Sequence, residues 1–206
     1  MRLVWLYARS RGVLVGLVLI VAICLGFALL QNWASVSARH QASVLQAIPA
    51  LAASVIGIGA WSPFGEPERT AAWPLARLRA GHAVVLLAVT IGVTSLTLAD
   101  WSSLVPDLGL GQVAVRNLVG LTGAALLLGR VVDARLSWLA PFTIIAAMAA
   151  RLLVAAPERL WSHPWWAWTG QDQSDRTSWL LALLLAAAGF GAYLRHGPRD
   201  IPGEAE

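Results

Sequence analysis

Residues 12–30 run without a polar side chain except Cys24, a stretch that only a deep core or a lipid bilayer can absorb. As a helix at ~1.5 Å per residue this run covers about 28 Å, close to the ~30 Å hydrocarbon core of a membrane. Five more apolar runs follow, at about 42–61, 83–99, 113–131, 138–156 and 178–194. Charged residues make up only 13 % of the 206-residue chain, about half the ~25 % of a soluble domain. Too few polar groups are left to cover a surface facing water. The expectation is an all-α polytopic integral membrane protein: one transmembrane domain over 1–206, six spans, and a flexible tail at 195–206.

A secretory leader is the obvious rival for the first run, because Val36, Ser37 and Ala38 resemble a cleavage site. Its apolar region, however, exceeds the ~7–15 residues of a leader, and five more spans follow. It reads as a retained anchor. Gly12 and Gly16 form a GxxxG pair that would allow close helix contact. The second run contains Gln46, Pro49, Gly57 and Gly59; a proline at depth frees a carbonyl, so this span is expected inside the bundle. In the third, Thr90, Thr94 and Thr97 share one helical face. A polar path and a helix–helix contact both fit that face, and their hydroxyls can also bond back to their own helix.

The basic residues orient the chain. All fifteen Lys+Arg are arginine, and with abundant Ala, Leu, Gly and Val this suggests a high-GC bacterial genome. With the N-terminus in the cytoplasm, Arg2, Arg9, Arg11, Arg69, Arg77, Arg79, Arg130, Arg135, Arg195 and Arg199 lie inside, and only Arg39, Arg159 and Arg176 outside. That bias predicts both termini in the cytoplasm of a bacterial inner membrane, multi-pass. Trp33, Trp61, Trp101, Trp138, Trp161 and Trp179 fall near span ends, as an aromatic belt requires. The arginines never form a run, so no nucleic-acid partner is expected; the lipid bilayer is the partner they suit.

No catalytic signature is present: no HExxH, no GxSxG, and no P-loop lysine, since there is no lysine at all. His40, His82, His163 and His196 are far apart, and Cys24 is alone, so no metal is expected. The chain is read as a non-catalytic subunit with no cofactor of its own. Two arginines do fall within spans. Arg116, followed by Asn117, and Arg151 belong to the outer half, where a cation either faces an outer cavity or snorkels or pairs, with Asp100 and Asp107 as nearby carboxylates. The outer segment 157–177 carries Trp161, Trp165, Trp166 and Trp168 and is broken at Pro164 and Gly170. It reads as a re-entrant or interfacial element, either a gate over an exit path or an anchor at headgroup level.

The remaining polar stretch is 65–82, GEPERTAAWPLARLRAGH. Glu66 and Glu68 open it, Trp73, Leu75 and Leu78 give it an apolar side, and Arg69, Arg77 and Arg79 close it, an order that suits the helix dipole. It is expected to form a short amphipathic helix against the cytoplasmic face, between spans two and three. Six spans, this helix, and the outer element between spans five and six together resemble the permease subunits of ABC-2-type exporters. The runs GEPERTAAWPLARLRAGH and VRNLVGLTGAALL also resemble small six-span permease-like proteins of high-GC bacteria. The resemblance implies a coupling helix that docks on a cytoplasmic ABC ATPase, with Glu66, Glu68, Arg69, Trp73, Arg77 and Arg79 as docking residues. It further implies a second permease chain, identical or not, ATP and Mg in the partner ATPase, and export of a hydrophobic or amphipathic cargo (a peptide, antibiotic or lipid). The alternative expectation is a non-transporting membrane scaffold, assembly or immunity factor.

Overall fold

The computed structural model describes residues 9, 12–33, 38–60, 75–102, 110–153 and 168–196. Among these residues the chain is helical and contains no strand. The α-helices are α1 (Val13–Trp33), α2 (Ala38–Gly59), α3 (Leu75–Ser102), α4 (Leu110–Val131), α5 (Leu139–Leu153) and α6 (Arg176–His196), with 3-10 turns at Ala134–Leu136 and Trp168–Gly170. Three stretches are long and apolar enough to cross a membrane, Leu78–Thr97, Gly111–Val131 and Arg176–His196. The apolar stretches Val13–Phe27, Ala47–Gly59 and Ala134–Ala147 are shorter. This is the composition of a helical membrane protein.

Several boundaries differ from the sequence expectation. The first two turns of α3 take up 75–82, and the helix runs without interruption to Ser102. The latter part of the expected surface helix is therefore the opening of the third apolar helix; residues 61–74 lie outside the described residues. The cause is a shared inward stripe: Arg79, His82, Ala83, Leu86, Thr90 and Thr94 are all buried and recur at helical spacing. Arg195 and His196, expected in the tail, form the last turn of α6, where basic side chains meet the helix dipole favourably. Gly12 precedes α1 with φ +59°, a left-handed conformation suited to glycine. It stands at the N-terminal cap, its carbonyl accepting from the Gly16 amide at 2.9 Å, while Gly16 faces Val55 of α2.

Most of the internal packing falls to α4. Within its apolar window 56 % is buried inside the chain, against 28 % for α3 and 22 % for α6. On one side α4 meets α6 almost backbone to backbone. A Cβ at Gly123 would strike Ala186 Cα at 2.5 Å, and one at Gly189 would overlap the Gly123 carbonyl. Small residues allow this approach, which gathers the dispersion and Cα–H contacts that hold helices together where lipid is as apolar as the side chains. On the other side Leu118 and Leu121 of α4 share a core with Ala50, Ala52 and Ala53 of α2, Trp168 and Ala182. Pro49 is buried, as expected of a proline at depth.

The clusters set the helix directions. Ala60 at the end of α2, Ala83 near the start of α3, Leu126 late in α4 and Tyr193 late in α6 pack together at one end. Near that end the α4–α5 connection is tight: Asp133 Oδ1 accepts from the Arg135 amide at 2.8 Å and caps the 3-10 turn. Ser137 of that connection sits against Gly57, where an added Cβ would lie 2.9 Å from its Oγ. The first turns of α4 and α6 lie at the opposite end, where the functional candidate is found.

Candidate functional site

At that opposite end, residues 168–175 join α5 to α6 as a 3-10 turn followed by irregular backbone. Backbone amides reach Trp168 O from Gln171, Asp172 O from Asp175 and Asp175 O from Trp179, which leaves carbonyl capacity over in this stretch, and in an apolar protein each unsatisfied carbonyl is costly. Side chains from α4 and α6 supply the donors. Arg116 Nη2 donates to Trp168 O at 3.0 Å and to Gln171 O at 2.9 Å, and its Nη1 donates to Asp172 O at 2.8 Å. The Asn117 amide donates to Thr169 O at 2.8 Å. Trp179 Nε1 of α6 donates to Gln173 O at 3.0 Å. Two adjacent residues of α4 and one indole thus satisfy five carbonyls within six residues.

The guanidinium is suited to this task because its donors form a rigid planar fork. Arg116 Nε also donates to Asn117 Oδ1, at the longer distance of 3.4 Å, which ties the two side chains to each other. Arg116 is 0 % exposed. Carbonyl dipoles and the nearby carboxylates of Asp172 and Asp175 compensate the buried charge. Those carboxylates are themselves tied to the turn. The amide and hydroxyl of Ser174 donate to Asp172 at 2.9 and 2.7 Å, closing an Asx turn and holding its carboxyl below the ordinary range. Asp175 caps α6: the Ser178 hydroxyl and amide both donate to it, and these bonds hold its carboxyl low as well.

The indole of Trp168 anchors the same segment. It is 3 % exposed and packs in the core beside Leu118 and Leu121. A Cβ at Gly120 would lie 2.5 Å from the tip of that ring, so the missing side chain at Gly120 makes the slot. The turn is therefore held twice, by an aromatic wedge and by a fork of charge-assisted hydrogen bonds.

The expected site residues fall in different places. Arg116, Asn117 and Trp168 converge here, with the arginine directed at backbone carbonyls; the side chains of Asp100 and Asp107 lie outside the described residues. Trp161, Trp165 and Trp166, and the docking candidates Glu66, Glu68, Arg69 and Trp73, lie outside the described residues. Arg77 lies in α3 and Arg151 in α5, but their side chains also lie outside the described residues. Arg79 is buried on the inward face of α3. Thr90 and Thr94 are buried, and Thr90 and Thr97 donate to their own helix, to Leu86 O at 2.6 Å and to Val93 O at 2.9 Å. Among the described residues no group of His, Cys, Asp and Glu could hold a metal ion.

Sequence reasoning missed Gly120, Gly123 and Gly189, although the first two stand in the VRNLVGLTGAALL run. It also missed Asp172 and Asp175. The Asp-x-x-Ser pattern immediately before an apolar run was the available signal for the second.

Fold and site together define a helical membrane bundle with a buried arginine centre. No family model matches the chain, and no curated protein or solved structure matches it significantly.

Proposed function

We propose that the chain crosses a bacterial cytoplasmic membrane six times with both termini inside. In that membrane it serves as the permease subunit of an ATP-binding-cassette exporter. The observation that carries this reading is the polar interior of an otherwise lipid-suited bundle: Arg116, Asn117 and Thr122 of α4 and Thr90 and Thr94 of α3 are buried. Ionisable and polar groups at membrane depth are expensive, and function is the usual reason for keeping them. The topology draws support from the ends of the bundle. Arg79, Arg130, Arg135 and Arg195 belong to the end that carries Ala60 and Tyr193, the arginine distribution expected of a cytoplasmic end. The described residues that follow α2 end there at Ala60, so on this reading the polar sequence beyond it is offered to a soluble ATPase. Cargo is hydrophobic or amphipathic, and the energy comes from ATP and Mg in that partner.

A second reading has its own observation. Arg116 uses four N–H groups on this chain's own atoms, and α4 and α6 touch through backbone. That rigidity suits a scaffold, assembly or immunity factor that moves nothing. The deciding experiment is mild-detergent purification of the tagged full chain from its native host, wild type and Glu68→Ala/Arg77→Ala, with identification of what co-purifies. A stoichiometric soluble ATPase that the double variant loses is the expected result. If the chain emerges alone or only with other membrane proteins, the exporter reading falls and the scaffold stands.

A further inference from the structure

We propose that residues 168–175 form a latch: a discrete unit, fastened to α4 by Arg116 and Asn117, that opens and closes while the helix bundle stays packed. The inference rests on how unevenly the segment is held and is independent of the exporter reading. Inward, its attachments are few and concentrated. From α4 come three Arg116 bonds, one Asn117 bond and the slot for the Trp168 wedge, and from α6 one bond, Trp179 Nε1 to Gln173 O. Outward, Gly170, Asp172 and Ser174 are exposed. The helices are joined differently, by long contacts such as Gly123 against Ala186 and Gly189 that share no group with the latch.

A segment with few buried contacts and side-chain-borne hydrogen bonds is the kind that opens locally before the whole structure does. Opening returns four carbonyls to water at the bundle end and withdraws one indole from the Gly120 slot. The packing of Leu118, Leu121 and Ala182 around that indole is lost, while the contact of Gly123 with Ala186 and Gly189 remains. Asp175, whose bonds to Ser178 tie it to α6, is the hinge at the C-terminal end of the unit. Thr169 gives a handle on the inner side. Its residue is buried, and its hydroxyl has no hydrogen-bond partner among the described residues, so a thiol there replaces no bond.

The native Cys24 makes the test self-controlled. It is 1 % exposed, on α1, packed with Ile48 and Ala114 and apart from the latch. The full chain carrying Thr169→Cys is purified in mild detergent and treated with N-ethylmaleimide, with and without Arg116→Gln. Both thiols are followed by mass spectrometry, and denaturing detergent gives the fully labelled reference. Arg116→Gln is expected to speed labelling at position 169 by at least about tenfold, the equivalent of one lost charge-assisted bond, while Cys24 stays protected. Arg116→Lys, which keeps the charge but not the fork, should label on the fast side. If both thiols accelerate together, Arg116 holds the bundle as a whole and the latch is overturned. No change at position 169 overturns it equally. Hydrogen exchange on the unaltered chain covers the case of a variant that does not fold. Amides 168–175 should exchange together and ahead of those of α4 and α6; exchange at the rate of the helices refutes the proposal.

Discussion

Helices α1 and α4 are nearly equal in length and opposite in character. Apart from Cys24, α1 is apolar from Val13 through Leu30, and it turns much of that surface outward, with Leu14 76 % and Leu29 65 % exposed. By contrast, α4 carries Gln112, Arg116, Asn117, Thr122 and four glycines, yet is the most enclosed of the spanning stretches. In water the greasier helix would take the centre. In lipid the order reverses, because tails solvate leucine well and cannot serve a guanidinium or a bare carbonyl. What holds a helix at the centre here is backbone proximity and polar partnership.

Substitutions can break that contrast, most severely at the seam. Gly123→Val should cost more than ~3 kcal/mol, beyond ordinary overpacking, because the obstructing atoms of Leu185 and Ala186 are backbone and cannot rotate away. Loss of a monodisperse species in detergent chromatography would register it. Next comes Arg116→Gln, at about 1–3 kcal/mol, with the loss limited because freed carbonyls at the bundle end reach water. Detergent-induced unfolding measures it, and a loss as large as that of Gly123→Val would mean that the seam depends on the arginine.

Asp175→Ala removes the α6 cap and should lower stability by about 1 kcal/mol in the same assay. Acid should reproduce part of this change. The folded carboxyls of Asp172 and Asp175 lie below their ordinary values, so their contribution is complete above the unfolded value and is lost as pH falls through the folded one. Thermal stability should therefore be flat from neutral to about pH 5 and fall below it, with a shallower fall in Asp175→Ala. The smallest effect belongs to α1. Leu14→Ala, on its exposed face, should change stability by less than ~0.5 kcal/mol, and a larger loss would show that another chain covers that face.

The helical membrane class was legible because hydropathy is a local property that any window along the chain reports. The apolar runs at 113–131 and 178–194 correspond closely to α4 and α6. Boundaries were less legible where polar residues were read as surface. Arg79 and His82 suggested an aqueous helix, but their spacing with Ala83, Leu86 and Thr90 places them on the inward stripe of α3. Arg116 was recognisable as anomalous from its position alone. Its role was not, since two uses, a cavity-facing cation and a snorkelling or paired one, both fitted its position.

The sequence by itself determined that this chain belongs in a membrane and which residues are too polar for lipid, because transfer from water depends on composition and run length. Only the tertiary structure decided what those residues do. The carbonyls that occupy Arg116 lie 52 to 56 positions away, and the glycine that admits the Trp168 ring is on another helix. Hydrogen bonds and steric slots act over a few ångströms of space, and distance along the chain carries no record of which groups will meet.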